Sequence, residues 1–197
     1  SPFVVYVNSN AATKAECDIT CTSANAAVIA ASLPEKRILF GPDANLAGWV
    51  QRQLPDKEII PVPANGGCPT HHNFTVRDVE EARRMYPNAT VICHPECSSE
   101  VQQACDLVGS TGYMVRNCGT ADEWVILTEK GILCPLEKRY PDTVFHVMET
   151  AVCPSMKVVD LSDLYVTLRD GVYPVVVADE IANRARSAIE RMIEASK

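Results

Sequence analysis

The sequence predicts an α/β protein built from repeated three-layer αβα units with parallel sheets. Short apolar runs rich in Val and Ile recur along the 197-residue chain, as expected for strands buried in a parallel sheet. Segments with a helical spacing of apolar residues separate these runs. The order of the two kinds of segment repeats once along the chain, at a displacement of 85 to 88 residues.

Six apolar runs are the predicted strands, three in each half of the chain. Each run is short and lies next to a segment with helical spacing, so each half is expected to alternate three strands with three helices. The predicted strands span residues 3–7, 38–40, 58–62, 90–93, 124–128 and 144–148.

The clearest helical segment follows Phe74. Apolar residues recur with helical spacing through 76–86, and Thr75 with Asp78 three positions later predicts a capping box at its start. Phe74 and Val79 are placed to pack across that cap as a hydrophobic staple. This segment is therefore predicted to be a helix that buries one face.

Two further segments share the helical pattern. Leu46, Val50 and Leu54 recur at a spacing of i+4 and predict a helix between the second and third strands. An apolar stripe over 181–193 predicts a final helix, for which Asp179 is the expected N-cap.

Alignment of the two halves pairs identical residues. At an offset of 88 residues Cys17 meets Cys105, and Asp18 meets Asp106. The ordered succession of strand, loop and helix signals supports this alignment more strongly than any single identity.

The repeat also predicts how the chain divides. We expect a first αβα unit in residues 1–86 and a second in residues 87–170. Residues 171–197 are expected to form a C-terminal extension with a strand and a helix.

Polar residues follow the first strand of each unit. The segment Tyr6-Val7-Asn8 meets His94-Pro95-Glu96 at the offset of 88, and Ser23 meets Thr111. Ligands of such sheets bind beyond the carboxyl ends of the strands, and a hydroxyl beside free helix N–H groups favours anions. Ser23 and Thr111 are each expected just before a helix. We therefore predict one pseudo-symmetric cleft at the carboxyl ends of both sheets.

Composition excludes some classes of function. The formal net charge is −7, and acidic and basic residues are interspersed, which argues against nucleic acid or a membrane surface as a partner. No apolar run approaches the length that spans a bilayer. Nine cysteines, an odd number, favour a reducing cytoplasm over a disulfide framework.

The segment 93–97 reads Cys-His-Pro-Glu-Cys and raises the question of a metal site. Two thiols, an imidazole and a carboxylate within five residues are all metal-ligating groups. The answer depends on the motifs that surround it.

Eight motifs occur in order from one end of the chain to the other. Together they resemble the second and third domains of the quinolinate synthase family. The family has three pseudo-threefold related αβα domains around a [4Fe-4S] cluster, and it condenses iminosuccinate (iminoaspartate) with dihydroxyacetone phosphate to quinolinate, a precursor of NAD. The motifs are YVNS, CTSAN, FGPDANLA, PVPANGGC followed by HHNFT, HPEC, GSTG, DEWVILTE and VCPSMK.

The resemblance implies which cysteines hold the cluster. They are Cys68 and Cys153, which lie 85 positions apart, close to the repeat offset. A third ligand is expected in a first domain that precedes the matched region in the family. Cys93 and Cys97 are not cluster ligands in the family, so the segment 93–97 is interpreted as a substrate site and not as a metal site.

The resemblance also implies the substrate site. Glu96 is the expected general base, and His94 and Tyr6 are expected to bind and polarise substrate oxygens. The residues expected to contact substrate are Tyr6, Val7, Asn8, Ser23, His94, Pro95, Glu96 and Thr111.

The expected partners follow from the same resemblance. They are the two small substrates, a first domain or a second copy that covers the exposed apolar face, and an L-aspartate oxidase or dehydrogenase that produces iminosuccinate. We expect the 197-residue chain by itself to be inactive. Three alternatives stay open: an inactive fragment that binds small anions, another iron–sulfur hydrolyase, and a zinc enzyme that uses the same cysteines.

Overall fold

Eight short strands and ten α-helices make up the chain in the computed structural model, which describes residues 1–197. The strands are β1 (Phe3–Tyr6), β2 (Ile19–Cys21), β3 (Arg37–Gly41), β4 (Glu58–Pro61), β5 (Thr90–Cys93), β6 (Leu107–Val108), β7 (Glu123–Leu127) and β8 (Val144–Val147). The helices are α1 (Ala11–Ala15), α2 (Ala26–Ser32), α3 (Ala44–Gln53), α4 (Pro69–His72), α5 (Val76–Met85), α6 (Ser99–Ala104), α7 (Thr111–Asn117), α8 (Leu133–Arg139), α9 (Leu161–Asp170) and α10 (Asp179–Ala195).

The strands form two parallel four-stranded sheets with the same topology. Their orders are β2-β1-β3-β4 and β6-β5-β7-β8. Each sheet has helices on both faces, so the predicted fold class of repeated αβα layers with parallel sheets is confirmed.

The strand registers repeat at the offsets found in the sequence. Val4 pairs with Ile19 in the first sheet, and Ile92 pairs with Leu107 in the second, each 88 positions further on. The registers of β3 with β4 and of β7 with β8 match at the offset of 86. The internal repeat is therefore a repeat of backbone pairing.

The prediction of three strands in each half was wrong, because each sheet has a fourth strand at its edge. These strands are β2 and β6, which span only three and two residues. Segments this short carry no alternating or continuous apolar pattern. The parallel neighbour supplies the pairing that makes them strands.

The predicted start of α5 is confirmed. The Thr75 side chain accepts a hydrogen bond from the Asp78 N–H, and the Asp78 carboxylate accepts one from the Thr75 N–H. Phe74 and Val79 are buried in the same apolar cluster, as the predicted staple requires.

The predicted cap of α10 was wrong. The helix begins at Asp179, the N-cap is Ala178, and no side chain caps it. Asp179 instead lies in the first turn, where a negative charge is favourable next to the positive end of the helix dipole.

Successive residues of the central strands point to opposite faces, and each face has its own core. Val4 packs in the cluster that contains α2 and α3, whereas Val5 packs against Ala188 of α10. In the second sheet Ile92 packs towards α7 and α8, and Val91 packs towards α5 and α6. Helix α10 therefore covers the first sheet at the place where α5 covers the second.

This packing bears on the domain bounds. Helix α5 lies within residues 1–86, yet its buried side chains join the core of the second sheet. Helix α10 lies in 171–197 and packs on the first sheet. We keep the division into 1–86, 87–170 and 171–197 as a proposal, although the packing favours a folding boundary before α5. None of the helices is long and apolar enough to cross a membrane.

Candidate active site

A cavity of about 1260 Å³ lies at the carboxyl ends of the strands of both sheets. Residues from both halves line it, because equivalent strands of the two sheets end at this cavity. The prediction of one cleft at the strand ends is confirmed.

Most of the predicted site residues line this cavity. Val7 and Pro95 do not, and their backbone carbonyls instead accept hydrogen bonds from side chains of the following helices. The predicted residues that line the cavity are Tyr6, Asn8, Ser23, Cys68, His94, Glu96, Thr111 and Cys153.

His94 is buried and is held in one tautomer by its contacts. The Glu96 N–H donates to its Nδ1 at 3.3 Å, so Nδ1 is an acceptor and the ring proton lies on Nε2. Nε2 is 3.2 Å from the Ser23 hydroxyl. Burial lowers the pKa of His94 to about 4, which keeps the ring neutral at pH 7. His94 is thus a neutral hydrogen-bond donor facing the cavity.

His71 lies beside His94 and has the opposite electrostatic character. The two rings stack with centroids 4.6 Å apart. Burial alone would lower the pKa of His71, but the neighbouring Cys68 thiol and Glu96 carboxylate raise it. Its Nε2 is 2.9 Å from the Thr128 hydroxyl, and its Nδ1 is 2.8 Å from the Glu96 carboxylate.

The His71 Nδ1 faces the Glu96 carboxylate. Their 2.8 Å separation is a buried ion pair, in keeping with the raised pKa of His71 and the lowered pKa of Glu96. The Cys68 thiol lies beside the same ring, so a thiol, an imidazole and a carboxylate come together at one wall of the cavity.

Glu96 is an ionised carboxylate in a buried place. Burial raises its pKa, but the His71 imidazolium, His94 and the Tyr6 hydroxyl together lower it below the ordinary value. Burial and the Glu96 charge raise the pKa of Tyr6, which keeps the phenol protonated. The site therefore places a charged carboxylate among a neutral phenol, the neutral His94 imidazole and the His71 imidazolium.

The two hydroxyls predicted before helices differ in their placement. Thr111 is the first residue of α7, whose N-cap is Ser110, and Ser23 precedes Asn25, the N-cap of α2. The expectation that both stand just before a helix was therefore wrong in detail. The loop before α2 is longer than the loop before α7, so helix starts do not follow the offset of 88.

Two carboxylates lie beside the cysteine loops. Asp43, which follows β3, accepts a hydrogen bond from the Cys68 N–H at 3.0 Å. Glu129 follows β7 at the matching position of the repeat; burial raises its pKa, but the Gly131 N–H, the Lys157 ammonium and the nearby Cys153 N–H lower it. Lys157 lies 3.2 Å from this carboxylate and gives the cavity a cation.

Sequence reasoning missed several of these residues. Asp43 and Glu129 meet at the offset of 86, so the repeat alignment contained a signal that would have found them. His71 stood beside His72 with no pattern to separate them, and the structure buries His71 while His72 is exposed. Thr128 carries no sequence signal of its own.

The family model for quinolinate synthetase A protein matches residues 1–194 of the chain. The chain belongs to this family. It is 49% identical to the quinolinate synthase of Thermococcus kodakarensis and 48% identical to that of Pyrococcus abyssi, over 197 residues in each case. The quinolinate synthase of Thermodesulfovibrio yellowstonii is 41% identical over 196 residues.

These quinolinate synthases are longer than the chain. The alignments cover 100%, 100% and 98% of this chain, but only 65%, 66% and 64% of the respective relatives. The chain thus spans about 65% of the length of the quinolinate synthases that it matches.

The residues of the cavity fit a metal centre. The ligand atoms of Cys68, His71 and Glu96 lie within 4.8 Å of one another, and a thiolate, an imidazole and a carboxylate are ligands suited to iron or zinc. Cys153 adds a second thiol to the same cavity, and all nine cysteines are free. The Glu96 carboxylate of the segment 93–97 belongs to this group of potential ligands, and its place in the substrate site stays a prediction.

The cysteines of the segment 93–97 point elsewhere. Cys93 and Cys97 are fully buried in the core of the second sheet and do not line the cavity. Their burial is that of small apolar side chains.

Proposed function

We propose that this chain is part of a quinolinate synthase, a transferase of NAD biosynthesis that condenses iminosuccinate with dihydroxyacetone phosphate. The overall reaction yields quinolinate and releases phosphate and two waters. The observation that supports the proposal most is the family match over residues 1–194, together with the predicted site residues in one cavity. We also propose a cytoplasmic location beside an L-aspartate oxidase or dehydrogenase that produces iminosuccinate.

Glu96 is the general base of the proposed reaction. Two dehydrations require that protons leave carbon and nitrogen, and an ionised carboxylate inside the cavity can accept them. His71 pairs with this carboxylate as an imidazolium, which keeps Glu96 ionised and able to accept a proton.

His94 and Tyr6 bind and polarise substrate oxygens. His94 Nε2–H and the protonated phenol are donors of neutral charge, and the His94 proton already points towards Ser23. Asn8, Ser23 and Thr111 add polar groups on the cavity wall, and Lys157 adds a cation that favours the carboxylates and phosphate of the substrates.

Cys68 and Cys153 would hold a [4Fe-4S] cluster in this cavity, with a third ligand from the part of the longer protein that this chain does not span. When bound, such a cluster supplies a Lewis acid for carboxylate or hydroxyl oxygens of the substrate. Asp43 orients the Cys68 loop through the Cys68 N–H, and Glu129 lies beside the Cys153 loop at the equivalent position.

The full-length protein, reconstituted anaerobically with iron and sulfide, tests the proposal. We expect quinolinate from iminosuccinate and dihydroxyacetone phosphate, and a brown protein with iron and sulfide in equal amounts. A colourless protein that retains zinc and makes no quinolinate would contradict the proposed function.

Cysteine substitutions test the proposed ligands in the same protein. Cys68→Ser and Cys153→Ser are expected to abolish the visible absorbance and the activity, because a hydroxyl is a poor ligand for iron of this kind. Cys97→Ser is the matched control, since Cys97 is buried outside the cavity, and it should retain the cluster. Loss of the cluster in Cys97→Ser would assign the segment 93–97 to the metal site.

A further inference from the structure

The loops that carry Asn8 and Glu96 are held by side chains at equivalent positions. The Lys14 ammonium in α1 donates to the backbone carbonyls of Val7 at 3.0 Å and Ser9 at 2.7 Å. Its equivalent at the offset of 88 is residue 102 in α6. There the repeat uses a different residue type for the same contacts.

Gln102 makes those contacts in the second half. Its Nε2 donates to the carbonyls of Pro95 at 2.8 Å and Cys97 at 2.6 Å, which correspond to Val7 and Ser9. Gln102 is only 5% exposed, so these hydrogen bonds lie away from solvent. The backbone carbonyls of the residues before and after Glu96 thus both accept hydrogen bonds from the buried Gln102 amide.

The carbonyl between them is bound as well. Asn45 in α3 donates from Nδ2 to the backbone oxygen of Glu96 at 2.9 Å. Three consecutive carbonyls, at positions 95–97, therefore accept hydrogen bonds from side-chain amides of two helices. Such a set of contacts fixes both peptide planes next to Glu96 and leaves its side chain to face His71.

The contact that the Gln102 amide oxygen makes fixes the orientation of this amide. The Arg52 guanidinium donates to Gln102 Oε1 and, at 3.1 Å, to the Ser99 hydroxyl. Because a guanidinium can only donate, the atom it contacts is the amide oxygen, and the opposite atom is the nitrogen that donates to the loop. Arg52 and Asn45 both belong to α3, so the first half of the chain holds the loop of the second.

We propose that Gln102 and Asn45 are positioning residues for Glu96. They hold the backbone of Pro95–Cys97 so that the Glu96 carboxylate stays between His71 and the substrate. The proposal rests on the proposed function for the role of Glu96 as base. The hydrogen bonds from Gln102 and Asn45 to the loop at 95–97 can be tested without knowing the reaction.

The kinetic test uses the full-length enzyme. Gln102→Leu removes the amide but retains a side chain of similar volume, and we expect kcat to fall on the order of 10-fold to 100-fold, because a displaced base impairs the chemical step. KM and the iron and sulfide content should stay within twofold of wild type. Gln103→Leu is the matched control, since Gln103 is exposed on the same helix and bonds only Ser99, and it should leave kcat unchanged.

A second variant covers a failure of Gln102→Leu to fold. Asn45→Ala removes one donor to the loop, and the same loss in kcat at constant KM is expected on a smaller scale. An unchanged kcat in an active enzyme with either variant would overturn the positioning role. A rise in KM with kcat unchanged would overturn it too, because that pattern shows lost substrate binding.

Hydrogen–deuterium exchange separates this proposal from the proposed function. In the full-length protein the backbone N–H groups of residues 94 and 96–98 should exchange faster in Gln102→Leu than in wild type, whereas those of β1 should not change. Equal protection of 94–98 in both proteins would overturn the positioning role of Gln102, whatever reaction the enzyme performs. If the wild-type protein makes no quinolinate but exchange at 94–98 is still faster in Gln102→Leu, the proposed function alone is contradicted.

Discussion

Two aspartates hold the first strand of each half from equivalent positions. The Asp18 carboxylate accepts a hydrogen bond from the Phe3 N–H at 2.7 Å, and the Asp106 carboxylate accepts one from the Val91 N–H at 2.8 Å. The identity between Asp18 and Asp106 in the repeat therefore reflects how a strand begins, not a catalytic role.

Asp106 also makes the molecule sensitive to low pH. Burial raises its pKa, but the Arg83 guanidinium 2.8 Å away and the Val91 N–H outweigh burial and lower it. A carboxyl with a lowered folded pKa stabilises the fold above its unfolded pKa of about 3.9, and that contribution is lost as pH falls through the folded pKa.

We therefore expect Asp106→Asn to lower the free energy of unfolding at pH 7 but to matter little near pH 2. The loss at pH 7 should stay under about 1 kcal/mol, because the 41%-exposed side chain is screened by water. Urea unfolding at both pH values measures it. Asp142→Asn is the control, since Asp142 is exposed and makes no side-chain hydrogen bond or ion pair. An equal loss of unfolding free energy at pH 7 and pH 2 would refute the assignment of this stabilisation to the ionised Asp106 carboxylate.

Asp43 joins a helix cap to the Cys68 loop. One carboxylate oxygen accepts from the Leu46 N–H at 2.7 Å, and the other accepts from the Cys68 N–H at 3.0 Å. In Asp43→Asn the amide oxygen can still cap α3, but the NH₂ group faces the Cys68 N–H and cannot accept.

We expect Asp43→Asn to expose Cys68 in the metal-free protein. An unsatisfied N–H costs about 1–3 kcal/mol, so alkylation of Cys68 should speed up by about tenfold. Peptide mass mapping measures the rate, and Cys153 in the same sample is the internal control that should not change. Equal acceleration at both cysteines would indicate a general loosening instead.

The residue types of the site could be predicted, but their contacts could not. The strand-end positions of Tyr6 and His94 follow from the repeat, since parallel strands end at one edge. The partner of Glu96 is His71 from α4, a four-residue helix without a periodic pattern. Only the fold brings these two residues together across 25 positions of sequence.

Helices α5 and α9 begin with the same capping box. Thr75 and Asp78 form it in α5, and Asp160 and Asp163 form it in α9, 85 positions later. Both helices span ten residues, but α5 buries Val79 and Ala82 against the second sheet, whereas α9 has no buried residue. Equal local signals thus lead to unequal packing.

The same cap should therefore contribute unequally to stability. Thr75→Ala is expected to lower the free energy of unfolding by about 1 kcal/mol, because fraying of α5 uncovers the core. Asp160→Ala removes the equivalent cap of α9 and should have a much smaller effect, since no core lies under it. Urea unfolding of both variants measures the difference. Equal losses of unfolding free energy in the two variants would show that the caps of α5 and α9 contribute alike to stability.

Elements with local signals were predictable, and elements without them were not. The Thr75–Asp78 box marks the start of α5 in the sequence itself. Strand β6 is only Leu107–Val108, and its existence depends on pairing with β5. A pair of apolar residues cannot predict a strand until its neighbour is known.

Helix α10 packs on the first sheet, although it is the last helix of the chain. Ala188 is fully buried against Val5 and Cys17, and the Arg184 guanidinium is 2.8 Å from the Glu16 carboxylate. The apolar stripe of α10 predicted a buried face. It could not predict which sheet that face covers, because a stripe carries no information about its partner.

We expect Ala188→Leu to destabilise the whole molecule. Added methylenes at a fully buried position cost about 1–3 kcal/mol, because the helix must move away from the sheet. Ser187→Leu, at the exposed neighbouring position, is the control and should leave the melting temperature nearly unchanged. Thermal unfolding followed by circular dichroism compares them. A stable Ala188→Leu would show that α10 is loosely docked.

The docking of α10 has a consequence for how the protein is made. A ribosome releases the strands of the first sheet early, yet Val5 and Cys17 stay uncovered until residue 188 has been translated. The second sheet completes its core once Ala151 has emerged. The later-made half can therefore finish folding first, which reverses the usual order in which the N-terminal part folds first during synthesis.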